Sequence, residues 1–244
     1  RYGGGGDGTQ NAAFLAGGCK VASPTLVTCT EHYDGSAWST GGTLNTGRGA
    51  IAGAGTLTAG LAIEGYTPTK VACTEEYNGA VWSIANSLAT ARYYAGGAGT
   101  QTAGLGFGGN PPIPGSNATE EYDGTSWTNG GNLGTGRRAV EGNGTQTAGL
   151  AVGGHPARTD TEEYDGSSWT NGGNLNTSRD QTSGAGTETA GLCCGGTPNG
   201  SAETNSSEEY NGSAWTAGNN LNFAARSVNN NSLSITPPPF CLFI

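Results

Sequence analysis

GTQTAGLAVGG, residues 144–154, is the most informative segment of the sequence, because two close copies of it occur elsewhere in the chain. The copies are GTQTAGLGFGG at 99–109 and GTETAGLCCGG at 186–196. A sequence that recurs every few tens of residues indicates a repeat architecture, in which each copy forms one supersecondary unit. The repeat therefore has to be defined before any local structure is predicted.

Each repeat begins with an arginine and contains two blocks of fixed length. The arginines are Arg1, Arg48, Arg92, Arg137, Arg179 and Arg226, which gives five repeats and a tail. The first block ends in a glycine pair, such as Gly153 and Gly154, but in the second repeat Glu64 precedes Gly65. The second block is TEHYDGSAW (30–38), TEEYNGAVW (74–82), TEEYDGTSW (119–127), TEEYDGSSW (161–169) and SEEYNGSAW (207–215).

Four short segments make up each repeat, and all are too short for an average helix and are broken by Gly, Asn or Asp. The first is Gly-rich, as in YYAGGAG (93–99), and the second is apolar, as in AGLAV (148–152). An Asp-Gly or Asn-Gly pair, which suits a two-residue hairpin, separates the third segment from the fourth. Four-stranded units repeated around an axis make a β-propeller.

We therefore predict an all-β fold, a five-bladed β-propeller with four antiparallel strands per blade and a short C-terminal tail. The propeller covers residues 1–226, and residues 227–244 form the tail or a partial sixth repeat. The predicted blades are approximately 1–47, 48–91, 92–136, 137–178 and 179–225.

The order of glycine pair, Tyr, Trp and the next repeat's Arg resembles the kelch repeat, in five copies over residues 1–226. The sequence pattern GTQTAGLAxGG followed by TEEYDGSSWTNGGNLNT also resembles kelch-type repeats of phage tail-fibre and other virion surface proteins. This resemblance implies a recognition or structural role on a virion or outside the cell. An intracellular adaptor similar to kelch ubiquitin-ligase adaptors is a weaker alternative, because the sequence has no counterpart of their helical partner domains.

The aromatic residues of the second block are predicted to pack between adjacent blades. Each aromatic side chain buries about 150–250 Å², which is a large share of the core in a chain with 34% hydrophobic residues. A sugar-stacking platform is the alternative, but a ligand site needs no copy in every blade. The structural set is Tyr33, Trp38, Tyr77, Trp82, Tyr122, Trp127, Tyr164, Trp169, Tyr210 and Trp215.

Paired acids recur in the third strand, for example Glu162 and Glu163. Two carboxylates can flank the scissile bond of a glycosidase substrate. Neighbouring strand residues point to opposite faces, however, so five such pairs cannot converge on one substrate. We expect instead that one Glu of each pair meets the repeat-start Arg or a backbone N–H.

The remaining composition favours a protein without catalytic residues, a metal site or a cofactor. His32 and His155 lie in different repeats, so no His-rich metal cluster is expected, and no phosphate loop or nucleophile elbow occurs. The net charge of −9 argues against a nucleic-acid partner. No apolar run approaches the roughly 20 residues of a membrane span, so no membrane insertion is expected.

The cysteines and the tail leave alternatives open. Cys19 and Cys29 flank one loop and are candidates for a disulfide, whereas the adjacent Cys193 and Cys194 are expected to be buried as small apolar residues. Cys241 follows Arg226 at the distance at which Cys194 follows Arg179. The tail is therefore a candidate remnant of a sixth repeat's first two strands.

Length varies chiefly between the second and third strands, at 19–29, 66–73, 110–118, 155–160 and 197–206. In an up-and-down blade these loops and the links between blades emerge at one face, here called the variable face. The GTQT and YDGSSW turns emerge at the opposite, uniform face. Lys20, Lys70 and Arg158 are therefore predicted on the variable face, and Asp34, Asp123 and Asp165 on the uniform face.

Loops on a rigid scaffold commonly carry recognition, and Pro in them lowers the entropy lost on binding. The predicted partner is a host cell-surface glycan or protein, together with other virion or fibre subunits. Loops that merely tolerate insertions, in a purely structural decoration of a virion or extracellular filament, are the alternative. The candidate ligand-binding residues are Lys20, Pro24, Lys70, Pro111, Pro112, Pro114, His155, Arg158 and Asn199.

Overall fold

A computed structural model describes residues 2–20, 25–113, 115–198 and 202–226, which form an all-β, five-bladed β-propeller. Each blade is a four-stranded antiparallel sheet whose strands follow one another in sequence order. The predicted fold class, blade number and strand order are confirmed. None of the described residues belongs to a helix that could cross a bilayer.

The strands are numbered in chain order, and the first strand of each blade is the innermost. Blade 1 contains β1 (Gly5–Thr9), β2 (Ala12–Ala16), β3 (Thr30–Tyr33) and β4 (Trp38–Thr40). Blade 2 contains β5 (Ala52–Thr56), β6 (Ala59–Tyr66), β7 (Lys70–Tyr77) and β8 (Trp82–Ala85). Blade 3 contains β9 (Tyr93–Thr100), β10 (Ala103–Asn110), β11 (Thr119–Tyr122) and β12 (Trp127–Asn129).

The last two blades follow the same plan. Blade 4 contains β13 (Glu141–Thr145), β14 (Ala148–Val152), β15 (Thr161–Tyr164) and β16 (Trp169–Asn171). Blade 5 contains β18 (Ser183–Thr187), β19 (Ala190–Cys194), β21 (Ser207–Tyr210) and β22 (Trp215–Ala217). A small extra pair, β17 (Arg179–Asp180) and β20 (Thr197–Pro198), extends the inner hairpin of blade 5.

Small residues allow the innermost strands to converge on the propeller axis. A Cβ placed on Gly53 of blade 2 would lie 2.5 Å from the backbone N of Gly6 in blade 1. Only a residue without a side chain permits this approach of two backbones. The high glycine content of the first strand therefore follows from the crowding around the axis.

The hydrophobic core is divided into clusters between adjacent blades. Between blades 3 and 4, Leu105, Leu133 and Tyr164 are buried together, and Trp169 packs on Phe107 with ring centroids 4.8 Å apart. Equivalent clusters lie between blades 1 and 2, 2 and 3, and 4 and 5. The repeat Tyr and Trp residues at these junctions thus occupy the interblade positions proposed for them.

Each Trp at these four junctions also donates a hydrogen bond to a hydroxyl of the preceding blade. Trp169 Nε1 donates to Thr119 Oγ1 at 2.9 Å. The other three pairs are Trp82 with Thr30, Trp127 with Thr74, and Trp215 with Thr161, at 2.8–2.9 Å. In blades 1 to 4 the threonine directly before the third-strand acid pair or its equivalent is reached by the next blade, so Thr30, Thr74, Thr119 and Thr161 are each part of a junction.

One acid of the pair meets the repeat-start arginine in blades 2 to 5, as predicted, and in blades 2 to 4 the other acid contacts the next blade. Glu162 pairs with the repeat-start Arg137 of its own blade at 2.9 Å. Glu163 accepts a hydrogen bond from the Tyr210 hydroxyl of the next blade. The same buried Arg–Glu pair is formed by Arg48 with Glu75, Arg92 with Glu120, and Arg179 with Glu208.

The structure corrects the assignment of Arg226 as the start of a sixth repeat. Gly196 N donates to Ala225 O at 2.8 Å, as Gly154 N donates to Arg179 O at 3.1 Å. Ala225 therefore takes the backbone place of the repeat-start arginine, and Arg226 pairs with Glu203 at 3.1 Å instead. The spacing to Arg226 is one residue longer than the fold requires. Residues 227–244, including Cys241, lie outside the described residues.

The cysteines form no disulfide among the described residues. Cys19 and Cys29 are not joined, so the disulfide considered for them is absent. Cys193 and Cys194 are both buried, which confirms that prediction. Burial raises the pKa of the Cys193 thiol to about 12.

Candidate functional site

The strand order separates the two faces of the propeller as predicted. Lys70 begins β7, directly after the connection from β6, whereas Asp165 lies in the turn from β15 to β16. Because the strands of a blade are antiparallel, these two connections emerge at opposite ends. The variable loops therefore share one face, and the uniform hairpin turns share the other.

The candidate residues chosen from the sequence are spread over the variable face. Lys20, Lys70 and Pro112 are exposed, and Pro111, His155 and Arg158 are half-buried. Arg158 Nε donates to Asp160 Oδ2 of its own loop at 2.8 Å. Pro24, Pro114 and Asn199 lie outside the described residues. Of this set, His155 also belongs to a second group of variable positions.

That second group lies where the innermost hairpin of each blade reaches the variable face. The residue after the repeat-start arginine pairs across the hairpin with the residue after the glycine pair. These mouth pairs are Tyr2–Cys19, Gly49–Tyr66, Tyr93–Asn110, Arg138–His155 and Asp180–Thr197. All five differ, although the surrounding repeat is nearly constant.

A ring of left-handed residues follows the mouth pairs and surrounds the central channel. They are Gly3, Ala50, Tyr94, Ala139 and Gln181, with φ between 49° and 67°. The ring is joined by backbone bonds between blades, since Tyr94 N donates to Ala50 O at 3.2 Å and Ala139 N donates to Tyr94 O at 2.7 Å. A bulky residue such as Tyr94 in this region costs about 1–2 kcal/mol. Such retained strain is typical of functional sites.

All four tyrosines that are not part of the repeat lie at this mouth. The Tyr93 ring lies 5.4 Å from that of Tyr66 and 4.8 Å from that of Tyr94. Tyr2, Tyr66 and Tyr94 line one shallow depression. The four rings are half-buried, so each presents part of its surface to solvent. Together they form the aromatic patch, contributed by blades 1, 2 and 3.

Polar side chains occupy the other side of the mouth, in blades 4 and 5. His155 Nδ1 lies 2.7 Å from Asp180 Oδ2, and the Thr197 hydroxyl donates to Asp180 Oδ1. Among the described residues, Arg138 Nε and Gln181 Oε1 are buried without a hydrogen-bond partner. Buried polar atoms are normally paired, so this side of the mouth, the polar arc, has unused hydrogen-bonding capacity.

Two tyrosines of the patch, Tyr94 and Tyr2, have a raised hydroxyl pKa and stay protonated at neutral pH. Burial, with a contribution from neighbouring Tyr93, raises the pKa of Tyr94 to about 12. A hydrogen bond to the Cys19 thiol raises the pKa of Tyr2. These hydroxyls can therefore both donate and accept hydrogen bonds.

Below the mouth the channel forms a cavity of about 420 Å³. It is lined mainly by Gly, Ala and backbone, together with Asp7 and Glu141. Burial raises the pKa of Glu141 to about 8 and that of Asp7 to about 6. Within the described ranges, no three His, Cys, Asp or Glu side chains are grouped to hold a metal ion.

Sequence reasoning located the variable face but missed the mouth pairs. The signal was present in the repeat itself, because the two residues after each arginine read YG, GA, YY, RA and DQ within an otherwise nearly constant block. These residues lie within the block of fixed length, so length variation between repeats does not reveal them.

Comparisons of the sequence with protein-family models and with curated proteins find no match. The function is therefore inferred from the geometry of the variable face.

Proposed function

We propose that the protein is a non-enzymatic recognition module that binds a host cell-surface glycan at the mouth of its propeller, on the variable face. The observation that carries this proposal is that all four non-repeat tyrosines, Tyr2, Tyr66, Tyr93 and Tyr94, gather beside the polar arc. A site of this kind combines a stacking surface with hydrogen-bonding groups.

The chemistry of the mouth suits a sugar ring. The apolar C–H face of a pyranose packs on an aromatic ring, and tyrosine adds a hydroxyl at the edge of that surface. Asn110 Nδ2 holds the Tyr93 hydroxyl at 2.6 Å, so this ring has a fixed position. The guanidinium of Arg138 and the imidazole of His155, whose side chain is 40% exposed and rests on Asp180, supply polar groups for sugar hydroxyls.

The mouth pairs are held by the inner strands of the blades, whose structure does not depend on the mouth residues. The mouth pairs lie at the ends of paired strands, beyond the buried Arg–Glu pairs of the junctions. Binding groups on regular elements are positioned more accurately than those on loops. The loops 66–73 and 110–118 adjoin the aromatic patch and would extend the contact surface.

We further propose that the protein acts on a virion or outside the cell, for example as part of a phage tail fibre. The support is the resemblance of the repeats to kelch-type repeats of such proteins, together with the low lysine content and acidic balance of the chain.

The test is the substitution Tyr94→Ala, measured on a glycan array and by titration with the best array ligand. Ala50 and Ala139 occupy the same left-handed position in neighbouring blades, so the backbone tolerates alanine there. We expect affinity to fall about tenfold or more with little change in melting temperature. The matched control is Val81→Ala, an exposed apolar residue of a uniform-face turn, which should bind as the parent does.

A protein ligand is the second candidate, favoured by one observation. Ile113 is 83% exposed in the 110–118 loop of the variable face. Exposed apolar side chains are typical anchors of protein interfaces. If no glycan binds and Ile113→Ser abolishes attachment to a protein of the particle or host, the structural or protein-binding role replaces the glycan proposal.

A further inference from the structure

Four of the five blade junctions are built from the same two faces. The leading face of a blade carries Tyr and Trp, and in blades 3 and 4 also Gln, and the trailing face of the preceding blade carries their acceptors. In blade 4, Gln146 Nε2 donates to the carbonyls of Gly104 and Tyr122 in blade 3, at 2.9 and 2.8 Å. Tyr164 donates to Glu121, and Trp169 to Thr119.

The junction between blade 5 and blade 1 makes none of these contacts within the described part of the chain. On the leading face of blade 1, Gln10 is exposed and Tyr33 is half-buried, whereas the four other repeat tyrosines are buried. On the trailing face of blade 5, Glu209 is exposed and Ser207 Oγ donates to Asn219 O at 2.7 Å. No buried hydrophobic cluster of the described residues joins these two blades.

The apolar residues of this junction are also incompletely covered. Leu192 and Leu221 are half-buried, although the leucines at the same positions in blade 4, Leu150 and Leu175, are buried. The channel cavity reaches Ala13 and Phe14 of the second strand of blade 1, whereas in the other blades it touches only the first strand and the residues leading into it. The channel therefore opens sideways between blades 5 and 1.

We propose that this junction is a docking surface for a second copy of the chain, in which the trailing face of blade 5 of one copy receives the leading face of blade 1 of the other. Each group that lacks its usual contact has its counterpart on the opposite face. Ser207 corresponds to the hydroxyl acceptor for Trp38, and Glu209 to the acceptor for the Tyr33 hydroxyl. The contact thus continues an interface that the molecule already forms four times.

Two side chains on the leading face of blade 1 are larger than their counterparts and explain why the two faces do not close within a single copy. They are Ala13, and Leu15 in place of Ala62, Gly106, Ala151 and Cys193. At the other junctions a glycine faces the Leu or Phe of the preceding blade, and a Cβ on it would lie 2.7–2.9 Å from that side chain. The glycines are Gly60, Gly104, Gly149 and Gly191. Blade 1 has Ala13 at this position, which keeps Leu192 from seating at the angle fixed by the ring. Two separate copies can adopt a different angle, at which the flexible Leu192 side chain turns aside.

The head-to-tail contact is tested by sedimentation velocity over a wide range of concentrations. We expect the parent chain to self-associate and Tyr33→Glu and Glu209→Arg to raise the dissociation constant about tenfold or more each. Mixing the two variants should restore association, because each retains one intact face and the substituted faces carry opposite charges. Ile84→Glu, at a 74% exposed position on the outer strand of blade 2, is the control and should associate as the parent does.

A parent chain that is monomeric at every concentration overturns the proposal, since the two faces then close within one copy or stay unoccupied. Association that survives both variants overturns it as well, because the contact then lies elsewhere. Far-ultraviolet circular dichroism checks that the variants fold. Should Tyr33→Glu not fold, Gln10→Arg at an exposed position of the same face replaces it.

Discussion

Arg137 and Glu162 form a fully buried ion pair at 2.9 Å, and the same carboxylate accepts the backbone N–H of Gly134 at 2.6 Å. Gly134 belongs to the link that leads from blade 3 into blade 4. One side chain thus fixes both the repeat-start arginine and the connection between two blades. The pair therefore stabilises the position of blade 4 in the ring as well as its internal structure.

Glu162→Ala should lower the free energy of unfolding by about 3–5 kcal/mol, because it leaves the Arg137 guanidinium buried without its counter-charge. Urea denaturation followed by tryptophan fluorescence measures the change. Glu209→Ala removes an exposed acid from the same strand position as Glu163 and should cost within about 0.5 kcal/mol. Equal losses in the two variants would show that the buried pair has no special role.

Trp169→Ala should cost about 3–5 kcal/mol, because it removes a large side chain from a junction and leaves the Thr119 hydroxyl without its donor. Trp38→Ala is the comparison, since Trp38 contacts Tyr33 of its own blade and has no hydrogen bond to a hydroxyl among the described residues of blade 5. Its cost should be smaller by about 1–3 kcal/mol. Both are measured by denaturation at low protein concentration, and a larger loss for Trp38 would contradict the description of the blade 5–blade 1 junction.

Replacement of loop 110–118 by the shorter loop 155–160 should leave the melting temperature nearly unchanged. The ends of the two loops make the same backbone contacts: Arg137 N donates to Ser116 O and Arg179 N to Arg158 O, each at 2.9 Å. Loop-closure entropy varies only slowly with length. Ligand binding should change, because Pro111, Pro112 and Ile113 are lost beside the aromatic patch. Binding identical to that of the parent would remove this loop from the recognition surface.

Stability should fall as the pH rises from about 4 to 8, because of the channel acids. Burial raises the pKa of Glu141 from 4.5 to about 8 and that of Asp7 from 3.8 to about 6. The folded protein then binds protons more tightly than the unfolded chain, and ionisation favours unfolding.

Glu141→Ser, which copies Ser183 at the same position of blade 5, should raise the melting temperature at pH 8 by about 2–4 °C for each kcal/mol recovered. The benefit should vanish near pH 4, where Glu141 is protonated in both states. Differential scanning calorimetry at a series of pH values measures the difference. A benefit independent of pH would point to packing instead of titration.

The propeller, its blade number and its two faces could be predicted because the repeat states them five times. The alternation of strand side chains was sufficient to predict that one acid of each pair meets the repeat-start arginine, but not that this acid is Glu162 and that Glu163 contacts Tyr210. The backbone place of the repeat-start arginine was wrongly assigned to Arg226, because residue type was used and not the constant spacing from the preceding leucine, which gives Ala225. That spacing, as from Leu175 to Arg179, is set by the geometry of the link, and residue identity is the weaker guide.

The mouth of the propeller could not be predicted in the same way. Tyr2 and Cys19 become neighbours only through the register of the inner hairpin, and Tyr94 faces the mouth because its backbone is left-handed. The sequence pattern gives no φ value for a tyrosine. The blade 5–blade 1 junction is equally hidden, since blade 1 carries the same Tyr and Trp as every other blade, and its leading face differs in Ala13 and Leu15.

The mouth pairs differ from blade to blade, whereas most of each repeat is nearly constant. One repeat contributes one mouth pair and one ring residue to the mouth, while the Tyr and Trp of the second block recur in all repeats. Recombination between such similar repeats would replace one mouth pair and one ring residue, and it would keep both neighbouring blade interfaces intact. Under the proposed function, the near-identity of the repeats would allow a new binding surface to arise by exchange of units that already fit their neighbours.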